Sequence, residues 1–67
     1  MTKLEILKDL WDTWMHKDWF DYANYENEAS NKIIVKTKYY PALEMTQFRI
    51  FMGKYPNIKY EIKWPKQ

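Results

Sequence analysis

The sequence predicts an α+β fold, α-β-β-α-β, with two helices packed on one face of a small antiparallel or mixed three-stranded sheet. Three observations carry this. A capping box, Thr2-Lys3-Leu4-Glu5, opens an amphipathic helical segment. A β-branched run, Ile33-Ile34-Val35, leads into the alternation Lys36-Thr37-Lys38-Tyr39. The segment Ile58-Lys59-Tyr60-Glu61-Ile62-Lys63-Trp64 alternates apolar and polar residues with period two. At 67 residues the chain has room for a single compact domain spanning 1–67. A domain this small buries only about 60% of its unfolded surface. With no cysteine, neither a disulfide framework nor a thiolate metal cage supplements the core. Aromatic mass takes that place: four Trp, six Tyr and three Phe, a large share of so short a chain.

The first helix is expected over about Thr2–His16. Leu4, Leu7, Trp11 and Trp14 recur at helical spacing, flanked by Ile6, Leu10 and Met15, while Glu5, Asp9, Asp12 and His16 line the opposite side. Residues 17–31 fit two readings. Trp19, Tyr22, Glu26 and Ala29 suit a second helix capped by Asp18. Phe20-Asp21-Tyr22 and Ala23-Asn24-Tyr25 suit a strand over about 19–25. Architecture favours the strand, because two strands alone make a marginal sheet in water. The helical alternative gives α-α-β-α-β.

A strand follows over Lys32–Tyr40, with Ile33, Val35, Thr37 and Tyr39 inward and Lys32, Ile34, Lys36, Lys38 and Tyr40 outward. Pro41 ends it and can serve as the first residue of a helix running to about Met52. Pro41, Met45, Phe48, Met52 and Tyr55 form that helix's stripe, joined by Phe51. Gly53 suits a left-handed C-terminal cap, and Pro56 prevents continuation. Pro65 closes the last strand. No repeat, linker or low-complexity tract interrupts the chain.

The inventory of reactive groups is thin. There is one Ser (Ser30), one His (His16) and one Gly (Gly53), so no phosphate-cradling loop and no nucleophile–base motif can be assembled. Asp12 and His16, four residues apart, make half a metal site with no second His or Cys to complete it. We therefore expect no catalysis, no metal and no cofactor. No apolar run approaches the roughly 18 residues of a membrane span, and the first five residues lack a signal-peptide segment. A cytoplasmic protein that contacts no membrane is the expectation.

What remains is surface recognition. Charge is divided along the chain: residues 1–30 carry three cations against seven carboxylates, a net −4, and residues 31–67 carry eight against two, a net +6. Three surfaces could use it. The basic outer sheet face, Lys32, Lys36, Lys38, Lys59 and Lys63 with Tyr40 and Ile34 interleaved, can hold phosphates and stack a base. With Arg49 the one arginine, such binding would read sequence weakly. The acidic stripe Glu5, Asp9 and Asp12 can occupy a partner's phosphate groove. Leu43 and Ile50 form an apolar seam about 140–160° from the Met45 stripe on the second helix. They suit an interface unless that helix is buried on both sides. The ordinary alternative for each charged surface is a solvated face.

In length, in Lys/Asn/Ile/Tyr usage, in aromatic density and in its lack of catalytic groups, the chain resembles small accessory proteins of phages and mobile elements of AT-rich bacteria, anti-CRISPR proteins among them. The resemblance rests on size and composition, and no motif transfers a site. It implies a stoichiometric inhibitor in the cytoplasm of an infected or host bacterium. Such a protein binds a bacterial protein, a CRISPR nuclease or another nucleic-acid enzyme, and blocks it. The alternatives are a nucleic-acid-binding phage regulator using the basic face, and a structural protein acting as a homodimer or larger homo-oligomer.

Overall fold

A computed structural model describes residues 2–65. Its elements are helix α1 (Lys3–Trp14), strands β1 (Phe20–Tyr25) and β2 (Lys32–Thr37), a 3-10 turn (Ala42–Glu44), helix α2 (Met45–Met52) and strand β3 (Lys59–Lys63). This is the expected α+β arrangement, two helices on a three-stranded mixed sheet. The helical alternative for residues 17–31 is set aside. Met1, Lys66 and Gln67 lie outside the described residues.

The capping box forms as its sequence dictates. The Glu5 N–H donates to the Thr2 hydroxyl at 3.2 Å, and the Thr2 N–H donates to the Glu5 carboxylate at 2.9 Å. From there α1 buries Ile6, Leu7, Leu10 and Trp14. Trp11 is half-buried against the core, and Leu4, expected on the core face, is 62% exposed. The apolar arc is broader than the sheet can cover, so its Leu4 margin faces water.

β1 and β2 form an antiparallel pair, Tyr22 opposite Lys36 and Tyr25 opposite Ile33. The register shifts between Phe20 and Tyr22, leaving Asp21 as an extra bulged residue. Phe20 and Ala23 therefore both face inward although three positions separate them. The connection turns at Asn27, whose side chain accepts from the Ala29 N–H at 3.0 Å. β2 and β3 are parallel, Lys32 opposite Lys59 and Lys36 opposite Lys63. A parallel pair needs a long crossover, which the 3-10 turn and α2 provide. The sheet order is β1-β2-β3, so β1 and β3 are its edges.

The inner face presents Phe20, Ala23, Ile33, Val35 and Ile62 to both helices, and Met45, Phe48 and Met52 of α2 close the core. Trp14 joins the layers: its ring lies 5.8 Å from Trp19, 5.3 Å from Phe48 and 5.9 Å from Phe51. Phe48 in turn meets Tyr60 of β3 edge-on at 5.2 Å.

Several expectations are corrected. β2 ends at Thr37 rather than Tyr40, and Tyr39, expected inside, is 49% exposed with its hydroxyl donating to Asp18 at 3.2 Å. The chain leaves the sheet there to begin the crossover. Pro41 precedes a 3-10 turn rather than opening α2 directly. Gly53 is not left-handed: its φ is −62°, and its N–H donates to the carbonyls of Arg49 and Ile50. The close approach is what glycine answers here, since a Cβ would stand 3.1 Å from the Ile50 carbonyl oxygen.

Trp14→Ala should cost about 3–5 kcal/mol, a large fraction of the stability of so small a domain. The indole N–H of Trp14 is buried without a hydrogen-bond partner among the described residues. Trp14→Phe, which keeps a ring and removes that donor, should cost clearly less. Urea unfolding of both variants checks the order.

Candidate functional site

The parallel register decides what the outer sheet face holds. Residues opposite one another point to the same side, so Lys32 with Lys59, Ile34 with Glu61 and Lys36 with Lys63 form three rows. β1 adds Tyr22 beside Lys36 and Asn24 beside Ile34. Four of the five expected lysines thus share a face. They are not equivalent. Lys32 is ion-paired with Glu61 at 2.6 Å, which holds the Glu61 carboxyl below its ordinary range through the Lys32 hydrogen bond and raises the ammonium in return. Lys36, Lys59 and Lys63 are exposed and have no ion pair among the described residues. Lys38 and Tyr40 stand beyond the end of β2, and Tyr40 packs on Trp64 with ring centroids 4.8 Å apart.

Tyr22 is the residue the sequence reading missed on this face. Counting by twos from Phe20 places it inside; the bulge at Asp21 turns it outward, 48% exposed, with its hydroxyl accepting from Asn24 Nδ2 at 2.9 Å. Tyr22, Asn24, Ile34, Lys36 and Lys63 line a shallow groove of about 250 Å³, with Glu26 at its rim. The groove can seat an anionic group on Lys36 and Lys63 and a flat ring on Tyr22.

The acidic stripe is largely committed to the fold. Glu5 serves the capping box, and that hydrogen bonding from Thr2 lowers its carboxyl. Asp9, expected in water, is half-buried: the Tyr55 hydroxyl and the Lys54 ammonium, the latter at 2.9 Å, both donate to its Oδ2. These bonds, Tyr55 first, hold its carboxyl below the usual range and push the Tyr55 phenol up to about 12. Asp9 therefore ties α1 to the segment after α2. Asp12 is left as the exposed carboxylate without a partner among the described residues. Glu44 plays the matching part at the other end, accepting from Lys17 at 2.7 Å and from the Trp19 indole at 2.6 Å.

The apolar seam is open. Leu43, in the 3-10 turn, is 99% exposed, and Ile50 of α2 is 64% exposed, while Met45, Phe48 and Met52 bury the other side of the same segment. The arrangement in which α2 buries both sides does not occur. Among the described residues no three His, Cys, Asp or Glu side chains cluster to hold a metal ion, and no helix is long and apolar enough to cross a membrane.

No protein-family model matches this chain, and neither a curated protein nor a solved structure matches it.

The Asp9–Tyr55 tie makes stability depend on pH at both extremes. The phenol's folded value lies above its unfolded 10.0, so its contribution is complete below that pH and is lost as pH rises through about 12. The Asp9 carboxyl is lowered from 3.8, so its contribution is present above that pH and lost as pH falls further. The two share the Tyr55–Asp9 hydrogen bond, which is counted once, and the Lys54 ammonium adds to the lowering of Asp9. In Asp9→Asn, ultraviolet titration should show the Tyr55 midpoint returning toward 10.0.

Proposed function

We propose that this chain is a small stoichiometric binding protein that seats the outer side of α2 on a partner protein, acting as an inhibitor of a bacterial nucleic-acid-processing enzyme such as a CRISPR nuclease. One observation carries the reading: Leu43 and Ile50 stand exposed at 99% and 64% on a segment whose opposite side is fully used by the core. Seven residues apart, they lie about two turns from each other on one side. Burying an exposed Leu or Ile side chain is worth roughly 1.5–3 kcal/mol. Thr46, Gln47 and Arg49, all exposed, supply polar surroundings of the kind that rim an interface. The class of partner comes from the resemblance in size and composition. Mimicry of nucleic acid by the acidic stripe loses ground, since Glu5 and Asp9 are engaged within the fold.

A second reading rests on the sheet face. Lys36 and Lys63 are adjacent and have no ion pair among the described residues, with Tyr22 beside Lys36, a combination suited to single-stranded nucleic acid by phosphate contact and stacking. Glu26 and Glu61 on the same side weigh against it.

Two double variants separate the readings. Leu43→Asp with Ile50→Asp changes exposed positions, so the fold should persist while enzyme inhibition and partner capture are lost. Lys36→Glu with Lys63→Glu should leave inhibition intact. Single-stranded DNA binding by the unaltered protein, with a log–log salt slope reduced by about 1.4 in the lysine variant, would favour the second reading instead. Inhibition that survives the apolar variant overturns the first.

A further inference from the structure

The two edges of the sheet are finished differently. In β1 the Glu26 N–H donates to the Lys32 carbonyl, which sets the alternation: Tyr22 and Asn24 bond to β2, and the backbone groups of Ala23 and Tyr25 point away from it. That outward edge is partly occupied. The Trp11 indole donates to the Ala23 carbonyl at 2.9 Å, and the Tyr25 N–H donates to Asn24 Oδ1 at 2.8 Å. In β3 the Lys59 N–H donates to the Asn31 carbonyl, so Lys59, Glu61 and Lys63 bond to β2 and the backbone groups of Tyr60 and Ile62 point outward. No side chain or backbone group among the described residues meets them. Unpaired donors and acceptors along an edge are a template for another strand.

We propose that the occupant of this edge is β3 of a second copy, paired antiparallel about a two-fold axis through Ile62. The register follows from charge and hydrogen bonding. With outward groups on Tyr60 and Ile62, a symmetric antiparallel pair can centre on Tyr60, Glu61 or Ile62. Centring on Glu61 sets Glu61 against Glu61 and Lys59 against Lys63, like charges directly opposed. Centring on Tyr60 sets Ile62 against Ile58, whose N–H is already donated to the Tyr55 carbonyl. Centring on Ile62 sets each Glu61 against Lys63 of the other copy, Tyr60 against Trp64, and Ile62 against itself. Pro65 then falls opposite Lys59, at a position that needs no N–H across the interface. Lys63 is exposed and has no ion pair among the described residues, so it is available for this contact. The pairing makes one six-stranded sheet whose outer face carries Lys36 and Lys63 from both copies. It holds whether or not α2 binds a partner.

Sedimentation equilibrium across a concentration series tests the pairing, with amide hydrogen exchange to locate it. The expected result is a mass rising toward twice 8.4 kDa. In the dimer the amides of Tyr60, Ile62 and Trp64 gain protection, while those of Glu61 and Lys63 are protected throughout. Lys63→Glu puts like charges at two symmetric positions and should weaken association by about tenfold. Adding Glu61→Lys to it restores an opposite-charge pair and should recover most of the loss. Circular dichroism confirms the fold of both variants, which matters because Glu61 also pairs with Lys32. A chain that stays monomeric at all concentrations overturns the proposal. So does a dimer unaffected by Lys63→Glu, or protection of the Tyr60 and Ile62 amides that arises only with a foreign protein.

Discussion

Trp14 stands where α1, the approach to β1 and α2 converge, and the rest of the fold is arranged around keeping its ring covered. Its ring neighbours come from two separate stretches of chain: Trp19 before β1, and Phe48 and Phe51 of α2. A domain of 67 residues has little apolar surface to bury, and large rings supply more of it per residue than aliphatic chains do. Among the described residues the indole N–H of Trp14 goes without a partner as part of that arrangement. A ring surrounded by rings has no nearby acceptor, and packing outweighs the lost hydrogen bond.

The other aromatic tips are placed to tie segments together at the margins of this core. The Trp11 indole closes the β1 edge, and the Tyr25 hydroxyl donates to the Lys3 carbonyl at 2.8 Å, so α1 is held to β1 at two points. Trp19 reaches Glu44, and Tyr55 reaches Asp9. Each ring buries its body and spends its polar end on a distant segment. In so small a chain this substitutes for disulfides. It also engages two carboxylates, Asp9 and Glu44, within the scaffold.

What stays outside is therefore informative. The uncommitted features are the Leu43–Ile50 side of α2, the Lys36–Lys63–Tyr22 corner of the outer sheet face and the free edge of β3. The last two meet at Lys63 of β3. These are the surfaces on which the proposed function and the proposed pairing of two copies rest.

Local signals in the sequence were read correctly where a residue's role depends on near neighbours alone. The capping box, the inward Ile33, Val35 and Thr37, the Met45–Phe48–Met52 stripe and the alternation of β3 all follow from periodicity and capping chemistry. Of the candidate surfaces, the lysine rows on β2 and β3 were legible for the same reason, as was the placing of Leu43 and Ile50 away from the Met45 stripe, but not whether that side stays open. Tertiary structure decided the remainder. The Asp21 bulge turned Tyr22 outward, because a bulge is a relation between two strands and not a property of either. The parallel register placed Lys36 beside Lys63 and gave Lys32 to Glu61. Asp9 and Glu5 look alike on a helical projection, yet Tyr55, forty-six residues away, claimed the first. Leu43 was left bare because α2 had one side to bury and the rings of Trp14 and Tyr60 determined which side that would be. The sequence by itself determined which residues form each element and which side of each seeks cover. Which side finds it depends on what the rest of the chain brings within reach.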